Sequence, residues 1–273
     1  MVFILNLLIF KPNSIKMENN KFIQELFKSK LVTDEAGNTI QLHSGITEKE
    51  GEFLYNIILK NKAKNTLEVG CAYGVSSLFI CAASSQFENY KHTIIDPFQK
   101  EWQNIGILNL QRAGFNSFEL IEKLSEIALP QLLEKNKKYD FAFIDGWHTF
   151  DHVLLDFFYV NRMMDVGGII AFHDVDMPSI NKLLRYILKY PSYELIDSVA
   201  CKPLKKTFNA KVKEVLFVFP LRLLSKVIPS RNVYELISGK VIEKDATLKI
   251  DTTLVAIKKV KEDDRDWRWF NDF

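Results

Sequence analysis

The sequence predicts an α/β protein built on one open, mostly parallel β-sheet with helices on both faces. Two patterns carry this. Five short runs rich in Val, Ile and Phe alternate with longer stretches of helical periodicity, the order expected when each strand is followed by a crossover helix. The runs are almost continuously apolar, which marks strands buried on both faces. Size agrees: 273 residues, 47% hydrophobic and 26% charged, can bury a large core without staples.

The elements follow in order. MVFILNLLIF is short and apolar, without the basic residues or cleavage site of a signal peptide, and reads as an extra helix or strand packed on the body. Alternatively residues 1–16 are a start-site artefact, since Met17 opens an ordinary amphipathic stretch, MENNKFIQELFKSKL. Thr47 and Glu50 have the spacing of a capping box, and Phe53, Leu54, Ile57 and Ile58 then recur at helical spacing. The strands are Asn65–Val69, His92–Ile95, Phe118–Ile121, Phe141–Ile144 and Gly168–Phe172, with helices near 75–85, 99–113, 126–136, 150–164 and 178–190. Two more strands, Tyr193–Val199 and Thr252–Val260, flank a long insertion. No Gly/Ser-rich linker interrupts the chain. It reads as one domain: an N-terminal extension and helical cap (1–45), a core (46–200), an insertion (201–250) and a last strand with an acidic-aromatic tail (251–273).

Lys and Arg number 36 against 34 Asp and Glu, a net charge of +2, which excludes a surface built throughout to grip nucleic acid. Cys71, Cys81 and Cys201 form no CxxC and have no His cluster around them, so a disulfide scaffold and a structural zinc are excluded and the cytoplasm is the expected compartment. No run reaches the ~18 apolar residues of a membrane span.

In an open parallel sheet a ligand sits beyond the carboxyl ends of the strands. Four strands end there on an acid: Glu68, Asp96, Asp145 and Asp174. Each alone could be a turn or cap residue. Together they suit a cationic ligand or a divalent metal better than a dinucleotide pyrophosphate. S-adenosylmethionine fits, with a sulfonium, an ammonium, a ribose diol and no phosphate. The first turn reads Glu68-Val-Gly70-Cys-Ala-Tyr-Gly74-Val-Ser76-Ser77. Gly70 allows a tight turn, Gly74 lets the next helix approach the ligand, Glu68 faces the methionine end, and Ser76 and Ser77 offer hydroxyls and amides to its carboxylate. The middle glycine of a dinucleotide fingerprint is absent, which counts against a nicotinamide-dependent oxidoreductase.

Taken together, Thr66–Ser77, Ile94–Pro97, Ser125–Leu132, Tyr139–His148 and Gly167–Asp174 resemble the successive motifs of class I S-adenosylmethionine-dependent methyltransferases. Within that class they resemble the small-molecule O-methyltransferases related to catechol O-methyltransferase, and the bacterial branch reading "FIDG-x-H … GG-x-I-x-x-HD". The resemblance covers roughly residues 45–200. It implies a Rossmann-like sheet with a C-terminal antiparallel strand, and O-methylation of a small-molecule or sugar hydroxyl. It also implies site residues. Glu68, Gly70, Gly74 and Ser76 match the first cofactor motif, Asp96 the ribose acid and Ser125 the serine beside the adenine. Asp145 and Asp174 match metal carboxylates and Trp147 the adenine edge. His148 stands where the family has its basic Lys. The family's third ligand, an Asn, is Val175 here; Asp176 or His173 could substitute.

Several of these positions have two readings. His148 is either a base of near-neutral pKa or a capping and hydrogen-bonding residue. His152, one turn later, reads as packing or capping. Strand alternation turns His173 and Asp174 to opposite faces, and Asp174 is taken as the one at the site. Asp145 and Asp174, on neighbouring strands ~5 Å apart, would hold Mg²⁺ or a similar cation or merely contact cofactor and helix ends. Trp147 is a ligand edge or simple core. A non-catalytic cofactor-binding module is a further alternative, and the absence of an NPPY-like motif weighs against a nucleic-acid substrate. Residues 201–231 carry eight basic residues against one acid, Glu214, around the apolar run VLFVFPLRLL. They read as an acceptor lid attracting an anionic acceptor, with a membrane-surface contact or a solvated flank as alternatives. The apolar ends and aromatic tail leave room for a homodimer.

Overall fold

The computed structural model describes residues 20–199 and 252–270. The N-terminal apolar run, the whole insertion and the last three residues lie outside that range, so the lid and start-site readings do too. Helix α1 (Lys21–Ser29) is followed by a short antiparallel hairpin, β1 (Leu31–Thr33) and β2 (Thr39–Gln41). Then come α2 (Glu48–Asn61), β3 (Asn65–Val69), α3 (Val75–Ser84), β4 (Lys91–Ile95), α4 (Ile105–Arg112), β5 (Phe118–Ile121) and α5 (Ser125–Glu134). The rest is β6 (Tyr139–Ile144), α6 (Phe150–Met163), β7 (Met164–Phe172), α7 (Pro178–Ile187), β8 (Tyr193–Ser198) and β9 (Val255–Lys259).

Seven strands form one sheet in the order β5-β4-β3-β6-β7-β9-β8. The pairs from β5 to β7 are parallel, and β9 runs antiparallel to both β7 and β8. The expected sheet, including its antiparallel last strand, is therefore present. Its central strands are buried on both faces. Phe141 and Phe143 of β6 join Leu54 and Ile58 of α2 and Leu78 and Phe79 of α3 in one layer. Ala142 and Ile144 join Leu129 of α5, Phe157 of α6 and Leu183 of α7 in the other. Each fully buried large side chain contributes roughly 1.5–3 kcal/mol, which is why these runs have no room for polar alternation.

Thr47 and Glu50 form the predicted capping box: Thr47 Oγ1 accepts from the Glu50 amide at 3.3 Å, and Glu50 Oε2 accepts from the Thr47 amide at 2.8 Å. Two segments differ from expectation. The helix read over 99–113 begins only at Ile105. Asp96 accepts from the Phe98 amide at 2.8 Å and Gln99 donates to the Ala72 carbonyl at 2.9 Å, so side chains compete with the helix for this backbone. The cap before residue 45 is not purely helical. It contains the β1–β2 hairpin, closed by Asp34 accepting from the Asn38 amide at 2.7 Å and by Gly37 at φ +88°; three-residue strands are too short to show periodicity.

Gly70 is the tightest point of the turn after β3. It has φ +90°, and a Cβ there would lie 2.2 Å from the Asp145 carbonyl oxygen. Gly70→Ala is expected to destabilise the protein by about 2–4 kcal/mol, from backbone strain plus overpacking. Urea denaturation measures this, and a loss below about 1 kcal/mol would mean that the two turns separate easily.

Candidate active site

The strand order reverses at β3: β4 lies on one side of it and β6 on the other. Turns leaving these strands open a crevice at the carboxyl edge. Gly74 begins α3 at φ +74° with no side-chain cap on the helix N-terminus. That leaves backbone N–H groups and the positive end of the helix for an anionic group such as an amino-acid carboxylate.

The first two strand-end acids face inward. Glu68 is wholly buried; the Ser76 and Ser77 hydroxyls donate to its two oxygens, and His92 Nε2 lies 3.0 Å from Oε2. Glu68 and the Ser76 hydroxyl, both assigned from sequence to the methionine end, thus meet each other under α3, because the first helical turn lies directly over the end of β3. Asp96, 4% exposed, braces the turn. Its Oδ2 accepts from the amides of Cys71 at 3.0 Å and Ala72 at 2.9 Å and from Gln99 Nε2 at 2.9 Å.

The other two acids, Asp145 and Asp174, end the neighbouring strands β6 and β7, and two histidines gather around them. His148 Nε2 lies 2.9 Å from Asp174 Oδ2 and 3.4 Å from Asp145 Oδ1. His173 Nδ1 lies 3.1 Å from Asp145 Oδ1 and 3.5 Å from Asp174 Oδ1. His173 and Asp174 therefore do not point apart as strand alternation requires. The reason is local: Asp174 has φ +51°, so the chain leaves β-geometry at the residue where alternation was assumed. Behind His173, its Nε2 lies 3.5 Å from Oε1 of Glu50, a residue 4% exposed.

These contacts set the charges. Hydrogen bonds to Asp145 and Asp174 raise His148 to about 9, so it is not the near-neutral group expected from sequence. Burial opposes a charge on His173, yet Asp145, Asp174 and Glu50 push it up to about 12. Burial also works against an ionised Glu50, but hydrogen bonds from His173, Thr253 and Thr47 hold it down at about 2. His148 and His173 hold the Asp174 carboxyl well below the usual range.

One donor atom each from Asp145, His148 and Asp174 lie within 4.8 Å of one another. Two carboxylate oxygens and an imidazole nitrogen on partly exposed residues fit a divalent cation. Val175 is wholly buried and supplies no donor. Trp147 is 59% exposed beside His152, with ring centroids 6.2 Å apart, and is not core. His152 Nδ1 lies 2.7 Å from Thr149 Oγ1 at the start of α6, and its ring packs beside Trp147; it does not cap the helix. Ser125 opens α5, near the carboxyl of Asp156, a residue sequence reasoning passed over. Asp156 is 1% exposed, and a Cβ built on Gly146 would lie 3.8 Å from its Oδ2.

The chain resembles known proteins over this same region. A methyltransferase domain family matches residues 67–175. A caffeoyl-CoA O-methyltransferase-like protein of Arabidopsis thaliana is 30% identical over 177 residues, 60% of this chain and 71% of that one. Caffeoyl-CoA O-methyltransferase 2 of Petunia hybrida is 31% identical over 169 residues, 56% of this chain and 66% of that one. Among solved structures, the O-methyltransferase from Bacillus cereus in complex with SAH superposes with a TM-score of 0.55 at 18% identity, over 67% of this chain and 85% of that one.

Burial raises the Asp156 carboxyl from 3.8 to about 6. The folded state then holds the proton more tightly than the unfolded chain. The stability this contributes is fully present below about pH 4 and is lost as pH rises through about 6. Asp156→Asn, which cannot ionise, should be more stable than the parent at about pH 7.5, by on the order of 2–3 kcal/mol. Urea denaturation at that pH and near pH 4.5 measures the difference, and an equal effect at both would refute it.

Proposed function

We propose, starting from a chain that belongs to the class I S-adenosylmethionine-dependent O-methyltransferases of the caffeoyl-CoA type, that it methylates a hydroxyl of an anionic small molecule at a cation site formed by Asp145, His148 and Asp174. The observation that carries the reading is the convergence of these three donors at the ends of β6 and β7, beside the Gly70 turn.

S-adenosylmethionine, when bound, supplies an electrophilic methyl group on a sulfonium centre. The uncapped start of α3 suits its carboxylate, and among the described residues Asp96 keeps one oxygen with a single partner, the Phe98 amide. The exposed Trp147 and Ser125 at the head of α5 are assigned to the adenine end. A hard divalent cation such as Mg²⁺, held by Asp145, His148 and Asp174, would lower the pKa of the acceptor hydroxyl and orient it. The chain's own task is alignment of acceptor oxygen and methyl carbon, because transfer is an in-line displacement and the leaving thioether is neutral.

The anionic acceptor is supported by the excess of basic residues in 201–231. Among the described residues no helix is long and apolar enough to cross a membrane. Cys71 and Cys81 are free and buried, in keeping with a reducing compartment, the cytoplasm.

A second reading is favoured by one contact. His148 already bridges both carboxylates and could take the acceptor proton itself, without a metal. Raised to about 9, it would be half-protonated only in alkaline solution, and the rate would rise with pH up to about 9.

Release of S-adenosylhomocysteine with caffeoyl-CoA as probe acceptor should stop with EDTA and return with Mg²⁺. Turnover indifferent to EDTA but lost in His148→Ala would instead support direct proton transfer. Calorimetric titration with Mn²⁺ adds a sign. The cation must displace a proton from His148, so affinity should rise about tenfold per pH unit below about 9. Absence of S-adenosylmethionine binding by the folded protein would sink both readings.

A further inference from the structure

We propose that Glu50 and His173 are a positioning pair that fixes the Asp145 carboxylate, a role of Glu50 distinct from its capping of α2. Part of its test rests on the cation reading of Asp145, His148 and Asp174.

The two roles fall on different oxygens. Glu50 Oε2 serves the helix: it accepts from the Thr47 amide and the Thr47 hydroxyl, each at 2.8 Å. Capping needs nothing more. Oε1 faces the other way, where the Thr253 hydroxyl donates to it and His173 Nε2 lies 3.5 Å off. An N-terminal helical glutamate normally ends in water. This one is 4% exposed, and a buried carboxylate is retained only where partners replace its hydration.

His173 lies between two carboxylates. Nε2 faces Glu50 at 3.5 Å, Nδ1 faces Asp145 Oδ1 at 3.1 Å, and its ring meets Phe143 in a T-shaped contact with centroids 6.1 Å apart. Glu50 Oε1 is the charge that faces the buried Nε2, which has no hydrogen-bond partner among the described residues; with the Phe143 edge on its flank this favours one orientation of the ring, and through Nδ1 one orientation of Asp145. The contacts on Asp145 converge on Oδ1, where His148 also lies at 3.4 Å, and among the described residues Oδ2 is left for a cation or an acceptor hydroxyl. Carboxylate–imidazole chains of this kind orient reactive groups from outside, and their loss typically costs 10–100-fold in metal affinity or activity.

Glu50→Gln retains an oxygen for Thr47 but turns an amide N–H₂ toward a ring that also donates. Thr47→Ala removes the cap and leaves the His173 contact. Each variant is examined by thermal melting, by Mn²⁺ calorimetry, and by long-range ¹H–¹⁵N NMR of the histidine rings. The expected result is a split. Glu50→Gln shifts the His173 and His148 ring signals and weakens Mn²⁺ binding about tenfold or more, whatever the fall in its melting temperature. Thr47→Ala lowers the melting temperature and changes neither of the other readouts. His173→Gln, which keeps the helix cap intact, should reproduce the Mn²⁺ and His148 effects and stands in if Glu50→Gln does not fold. If the parent binds no Mn²⁺, the cation reading falls and the His148 signals alone decide: movement in Glu50→Gln supports the pair. Unchanged His148 signals and, where the parent binds Mn²⁺, unchanged affinity in Glu50→Gln would overturn it.

Discussion

Two carboxylates that end neighbouring buried strands repel each other, and a fold that keeps both must bring in positive charge. Asp145 and Asp174 stand in this relation because β6 and β7 are paired in parallel, with Ile144 opposite Phe172. The countercharge comes from two imidazoles, one on each side of the pair. His148 reaches in from the turn after β6 and His173 from the end of β7. Each imidazole is raised because it lies between acids. The left-handed turn at Asp174 brings its carboxylate to the face where His173 meets Asp145, a face that strand alternation would deny it. A site of opposed charges follows from strand register and one backbone angle.

The same economy shows at the other strand ends. Glu68 and Asp96 resemble ligand residues in position, yet most of their hydrogen-bonding capacity is used inside the protein. Glu68 is satisfied by two serine hydroxyls and faces His92, and Asp96 by backbone amides of the turn it braces. They hold the β3–α3 turn closed so that the helix N-terminus points into the crevice. Pre-organisation of this sort lowers the conformational cost of binding without adding a contact.

The sheet was legible because its strands are buried on both faces, and continuous apolar runs are hard to mistake over five repeats. The strand-end acids were legible for the same reason: a charge at the end of such a run stands out. Three features were not. The hairpin of β1 and β2 is too short to leave a period. The late start of α4 depends on Asp96 and Gln99 competing for backbone, which is a tertiary effect. Glu50 was read as half of a capping box, and that was right, but nothing in its local sequence says that its second oxygen meets a histidine 123 positions later. A signal existed in principle: Phe-His-Asp at a strand end offers two donors where alternation permits one, and that conflict itself points to a turn.

Glu50 also joins parts of the chain that the sequence keeps far apart. The strand before residues 200–251 ends near Val199, and the chain returns at Thr252, whose hydroxyl donates to the Val199 carbonyl. The Val199 amide in turn donates to the Leu254 carbonyl at 2.9 Å. The base of the long insertion is therefore closed by hydrogen bonds within the described residues. The next residue, Thr253, gives its hydroxyl to Glu50, and its carbonyl accepts from the Val175 amide at 3.1 Å, one residue past Asp174. The point where the insertion returns is thus hydrogen-bonded to Glu50 and to the residue that follows Asp174. Rigid pieces joined by short polar contacts transmit small displacements better than loose ones. The hydrogen bonds at Val199, Thr252 and Thr253 thus tie both sides of residues 200–251 to the structure that holds Asp145 and Asp174.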